Sequence, residues 1–215
     1  MRDRRTCRAG YLDCIMHNAT TNTDHVIAAT RHWLEAAVIG LNLCPFAKAV
    51  HVRRQIRYAV STATETQALR RDLTAELVSL AAVDPLVTDT TLLIHPYILN
   101  DFMDYNDFLQ ESEDIATTLR LDGVLQIASF HPHYQFADSL ADDIENCTNR
   151  APFPTLHLLR ETSVDRAVAA YPDASIIFRR NIDTLRRLGP AGWTALQIQA
   201  PPTSGDAAGL SSDDE

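Results

Sequence analysis

The stretch FMDYNDFLQESEDIATTLRLDGVLQIASF, Phe102–Phe130, decides the fold class. Phe102, Tyr105, Phe108, Leu109, Ile115, Ala116 and Leu119 recur at helical spacing, so its first half is an amphipathic helix with one apolar face. Gly123 ends that helix. Val124–Phe130 then runs almost continuously apolar, which suits a strand covered on both faces. A helix passing straight into a buried strand is half of an α/β repeat.

The same alternation precedes it twice. Val26, Ile27, Trp33, Leu34, Ala37, Val38 and Leu41 form a helical stripe over Asp24–Leu41, with Thr23 or Asp24 placed to cap it. Pro45 disfavours the helical conformation at Cys44, so Cys44 sits at the helix exit. In Arg54–Ser61, Ile56, Tyr58 and Val60 alternate with polar residues, as in a half-buried strand. Thr64 and Gln67 fit a capping box, and Leu69, Leu73, Leu77 and Leu80 give a second helix, ended at Asp84-Pro85. Thr91–Ile94 is β-branched and apolar, a buried strand ending at His95-Pro96. The order α-β-α-β-α-β predicts an α/β, three-layer domain with a small, mostly parallel sheet flanked by helices.

Downstream the period fails. Residues 131–153, HPHYQFADSLADDIENCTNRAPF, have no helical or strand pattern, and an aperiodic stretch this long inside a compact domain is uncommon and often functional. Pro154 suits the first turn of a helix over Thr155–Glu161. Two further helices are predicted, Ser163–Ala170 and Ser175–Leu188, the second closed by Gly189-Pro190.

Composition narrows the function classes. The chain has 215 residues, enough for one domain with a substantial core. Its net charge of −9 repels phosphate backbones, so nucleic acid is not an expected partner. No apolar run approaches the ~18 residues that span a bilayer, so no membrane partner is expected. Four scattered cysteines without C-x-x-C spacing point to free thiols in a reducing, cytoplasmic setting. No G-x-G-x-x-G or Walker pattern is present, which argues against the common dinucleotide and P-loop readings and leaves the cofactor unknown. Residues 1–21 read as a disordered extension with four Arg near its start, for which Met16 is an alternative first residue. The single domain is expected over 22–199, and 200–215 as a disordered acidic tail.

Ligands in open parallel sheets bind beyond the carboxyl ends of the strands. Two predicted strands end in His-Pro, at His95 and His131, and the aperiodic loop begins at that same rim. The loop and the segment after it are rich in polar groups: His131, His133, Tyr134, Asn149, Arg150, His157 and Arg160 among them. On a helix, His157 and Glu161 would share a face with Arg160 beside them, and a carboxylate can orient a histidine and raise its basicity. Two arginines can clamp a phosphate or carboxylate through forked hydrogen bonds. Against this stands the bland reading, in which such histidines and arginines simply hold the fold.

Three strings carry a family resemblance. They are Leu43-Cys44-Pro45-Phe46, the run ASFHPHYQF at 128–136, and TNRAPFPTLHLLRE at 148–161. They resemble signature segments of the DUF1415 family, bacterial and plant proteins without an assigned activity. The resemblance covers roughly residues 24–190 and implies one whole-chain domain, but no mechanism. His133 and Cys147 depart from the family pattern, which leaves Cys44, His131, Asn149, Arg150, His157 and Arg160 as the stronger candidates.

Two classes of function follow. In the first, the protein is an enzyme acting on a small anionic molecule. His131 or His157 is its acid–base and Cys44 its nucleophile, while Asn149, Arg150, Arg160 and Tyr134 bind the substrate. A variant makes it a metal-dependent hydrolase using His131 and His157, although their spacing matches no standard zinc motif. In the second, it is a non-catalytic module that binds a ligand or partner. On either reading His131, Asn149, Arg150, His157 and Arg160 are expected to line one pocket, with Cys44 at its edge.

Overall fold

The computed structural model describes residues 22–169 and 174–198, so both predicted tails lie outside the described residues. A first helix, α1 (residues 22–33), widens into a π-helical segment at Leu34–Ile39. A short α2 (Ala47–Val52), which has no strong sequence signal, leads into β1 (Ile56–Val60). Then come α3 (Thr66–Ala82), β2 (Thr90–Ile94), α4 (Phe102–Thr118) and β3 (Leu125–Phe130). A 3-10 turn at Ile144–Thr148 interrupts the long loop before β4 (Thr155–Arg160), α5 (Glu161–Ala169) and α6 (Ala174–Ala195). No described helix is long and apolar enough to cross a membrane.

Local chemistry explains most of these boundaries. Asp101 caps α4, its carboxylate accepting from the backbone N–H groups of Met103 and Asp104. The expected Thr64/Gln67 box does not form; α3 starts after Glu65 without a side-chain cap. Gly189, at φ 66°, kinks α6 just before Pro190, as the Gly-Pro signal implies.

The sheet corrects the sequence reading. Its order is β1-β2-β4-β3; β1 and β2 pair in parallel, while β4 pairs antiparallel with both β2 and β3. The three anticipated strands do run in one direction, but β4 lies between the second and third. The sheet is therefore mixed, not mostly parallel. The segment Thr155–Arg160, predicted as a helix, is that inserted strand. Helical spacing misleads here because both faces of β4 are covered, so the segment carries no clean period of two. Pro154 lies just before the strand, where its missing N–H costs nothing, and its carbonyl accepts from His95 N–H at 3.0 Å.

Both faces of the sheet are covered, giving three layers. On one face Leu69, Leu73, Leu77 and Leu80 of α3 and Tyr105 and Phe108 of α4 pack on Ala59, Leu93, Leu125, Leu156 and Leu158. On the other, Val26 of α1 meets Leu92 and Ile94, and Trp33 reaches Phe130 edge-on with ring centres 5.1 Å apart. The kinked α6 packs on the loop through Leu185, which meets Leu43 and Cys147.

The register of β4 sends alternate side chains to opposite faces. Arg160 lies on the α3 side and is 7% exposed. Its terminal nitrogen donates to the carbonyls of Leu80, Val83 and Thr88 at 2.6, 2.7 and 3.3 Å. The guanidinium thus closes the carboxyl end of α3, where carbonyls lack helical partners and a cation is favoured. Arg160→Ala is expected to lower the unfolding free energy by about 2–4 kcal/mol in denaturant titrations, since buried carbonyls lose a charged donor. A loss below ~1 kcal/mol would show that water replaces the arginine.

Candidate functional site

The parallel direction of β1, β2 and β3 does bring His95 and His131 to one rim, as expected. There they flank Tyr105, with ring centres 5.8 and 5.0 Å from it. This rim is packed shut. His131 is fully buried; its Nε2 donates to Leu99 O at 3.1 Å and its Nδ1 accepts the His133 N–H at 3.0 Å. His95 donates from Nδ1 to Ile98 O, and its Nε2 is buried without a partner. Tyr105 Oη donates to Thr155 O and accepts the Phe130 N–H, tying β4 to the end of β3.

The long loop is fastened rather than open. Asn146, fully buried, accepts from Phe136 N–H and Ser139 Oγ and donates to Leu140 O. Arg150 donates to the carbonyls of Tyr134 and Ala141, and Asn149 Nδ2 donates to Ser129 O. Each of these side chains satisfies backbone groups that no ladder serves. Asn149, Arg150 and the Tyr134 main chain hold the loop, and His131 anchors its first turn. Both nitrogens of His131 are committed to the backbone, so neither is free to bind a metal or accept a proton. Among the described residues no group of three His, Cys, Asp or Glu is placed to hold a metal ion.

The open space lies on the other side of the sheet. A cavity of about 700 Å³ separates the sheet from the π segment, α2 and the start of α5. Its walls are apolar, with Trp33, Leu34, Val38 and Phe130 prominent. The space exists because small side chains face it: Ala128 on β3, beside His157 in the register, and Ala47 and Ala49 on α2. The short α2 contributes no fully buried residue, so it roofs this part of the sheet without filling it.

Three of the sequence candidates meet here. His157 and Cys44 both line the cavity; Arg160 also borders it, while its terminal nitrogen serves α3. His131, Asn149, Arg150 and Tyr134 lie outside it. The expected i, i+3 pairing of His157 with Arg160 on one face is replaced by opposite faces of a strand, and Glu161 begins α5 instead of sharing a helical face with His157.

His157 Nε2 is 2.6 Å from Thr90 Oγ1, and that hydroxyl is also 2.6 Å from Leu158 O. Burial pushes the His157 pKa down from 6.5 to about 4, so the ring is neutral at pH 7. Cys44 is half-buried with a free thiol, whereas burial raises the pKa of Cys147, which lies outside the cavity. Near the amino ends of β2 and β3, Asp89 accepts from Ser163 Oγ at 2.6 Å, and Arg166 donates to the same Ser163 oxygen at 2.9 Å. Arg53 is exposed at this edge of the cavity. Thr90, Asp89, Ser163 and Arg166 escaped the sequence reading. They are single polar residues at element ends, and only the inserted strand brings them together.

A profile described as a protein of unknown function, DUF1415, matches residues 25–195. Comparison with curated proteins and with solved structures yields no match.

Three histidines, His95 and His131 fully buried and His157 half-buried, set an acid limit. Burial, the leading cause in each case, lowers the pKa values of His95, His131 and His157 from 6.5 to about 4. Between those values the unfolded chain binds protons that the native state refuses, so stability is full above pH ~6.5 and falls as pH drops toward 4. The melting temperature should therefore fall steadily from pH 6.5 to 4.5. A flat profile would show that these rings are hydrated or already protonated.

Proposed function

We propose that this chain, which belongs to the DUF1415 family, binds a small amphipathic anion in the cavity between the sheet and the π segment. One observation carries the reading. A recess of about 700 Å³ with apolar walls and few polar groups has the size and chemistry of a small-molecule site. Trp33, Leu34, Val38 and Phe130 take the apolar body. The exposed cations Arg53 and Arg166 at the edge attract the anionic end. The π-helical segment supports the assignment, since such widened turns are frequent at functional sites.

The test uses short amphipathic carboxylates from hexanoate to decanoate, followed by calorimetry and thermal shift. Binding should strengthen with chain length until the cavity is full, as each buried methylene adds about 0.8 kcal/mol. Val38→Trp, which fills the space, should abolish binding while the far-UV spectrum stays native. Undiminished binding by that variant would place the ligand elsewhere.

A second reading, acyl transfer by the same site, rests on Cys44 and His157 lining one cavity. Cys44 would attack the acyl carbon of a bound ester while His157 takes the thiol proton and returns it to the departing alcohol as the C–O bond breaks; water then hydrolyses the thioester to the acid and the free thiol. No hydrogen bond joins the two side chains in the structure, so binding must draw them together. On this reading the protein hydrolyses p-nitrophenyl octanoate and His157→Ala loses at least 100-fold in rate, a typical general-base contribution. Equal rates for the two proteins would leave binding alone.

A further inference from the structure

We infer that the cavity selects molecules that present an N–H or O–H to Nδ1 of His157, and that Thr90 imposes this preference by fixing the tautomer of the ring. The inference rests on the cavity being a ligand site and adds the kind of group that must enter it.

The argument is a count of protons. Thr90 Oγ1 has two neighbours at 2.6 Å, Leu158 O and His157 Nε2. The hydroxyl owns one proton, and a carbonyl has none to give, so that proton goes to Leu158 O. The contact with His157 then holds only if Nε2 carries a hydrogen and donates it to Thr90 Oγ1. A neutral imidazole has a single N–H, so Nδ1 is left as a bare acceptor. Thr90 is 4% exposed and pinned in β2 between these two partners, so its hydroxyl has no freedom to reverse the pattern.

Nδ1 has no hydrogen-bond partner among the described residues. Nor is it one of the sealed unpartnered atoms, which are Tyr58 Oη, Thr91 Oγ1, His95 Nε2, Arg160 Nε and Asn181 Oδ1. His157 is half-buried and its ring lines the cavity. Both strand residues paired with it are apolar, Leu92 on β2 and Ala128 on β3. A lone acceptor in an apolar recess discriminates strongly. A donor satisfies it, whereas an ether, thioether or carbonyl brings lone pairs against a lone pair and leaves both groups unpaired. The favoured ligand is thus an acid whose remote end carries a hydroxyl, a phenol or an indole-type N–H.

Matched probes test this on the intact protein. Indole-3-propionate and its benzothiophene analogue have nearly the same shape, but only the first has a donor. The indole acid should bind about tenfold tighter by calorimetry, although the sulfur analogue is the more apolar of the two. His157→Phe should bring the two affinities together, and so should Thr90→Val, which releases the tautomer. Nitrogen-15 spectra of the wild-type imidazole should show a protonated Nε2 and a bare Nδ1, a readout that needs no variant to fold. Equal affinities in the wild type, or a protonated Nδ1, would overturn the inference while leaving the cavity as a binding site. Failure of both acids to bind at millimolar concentration would overturn the binding reading as well.

Discussion

The molecule depends on the double pairing of β4. Five of its six residues, Thr155–Leu159, use both backbone edges at once, binding β2 on one side and β3 on the other, and Arg160 pairs with β3. Three features around the cavity follow from that register. It sets His157 diagonal to Thr90, puts Ala128 beside the imidazole, and sends Arg160 to the opposite face to close α3. A slip of one residue would exchange the two faces. The guanidinium would then enter the cavity and the imidazole would lie among the leucines of α3, with neither group served. The burial of both faces makes that slip costly, which is why so short a strand can fix the geometry of a site.

Much of the architecture was legible because it is written in periods. The Leu69-Leu73-Leu77-Leu80 stripe is a helix face whichever sheet it covers, and β2 is apolar enough to announce burial on both sides; β3, expected to be covered likewise, is an edge strand half-buried beyond Leu125. The failure at β4 has a physical cause. Leu156, Leu158 and Leu159 with Pro154 ahead of them satisfy a helical pattern and a doubly covered strand equally well. What chooses between them is the pair of unfilled edges on β2 and β3, a long-range fact absent from the local sequence. Insertion of this one segment turns a nominally parallel sheet into a mixed one.

The candidate site was half legible for a related reason. Cys44 and His157 were reachable from residue type and from the resemblance of their surroundings to a known family. The cavity that unites them was not, because it is made by what is small, Ala47, Ala49 and Ala128, and alanines carry no signal of emptiness. The long loop misled in the other direction. Its density of Asn, Arg and His resembled a site, yet those side chains are spent on backbone groups. Asn146, the buried centre of that arrangement, gave no sign in the sequence of outranking Asn149 or Arg150.

The π segment has a consequence for how this chain can vary. In Leu34–Ile39 the helix holds one residue more than a regular turn would, marked by the bond from Gly40 N–H to Glu35 O. Gly40 suits this crowded exit, since a β-carbon there would lie 2.3 Å from Ala36 O. Removing the extra residue would close this loop to an ordinary α turn, with the upstream face still directed at the sheet. Trp33 would keep Phe130, and Val26 would keep Leu92. The widened turn is thus a place where the chain can change length by one residue without turning α1 off the sheet, and what such a change alters is the backbone beside the cavity.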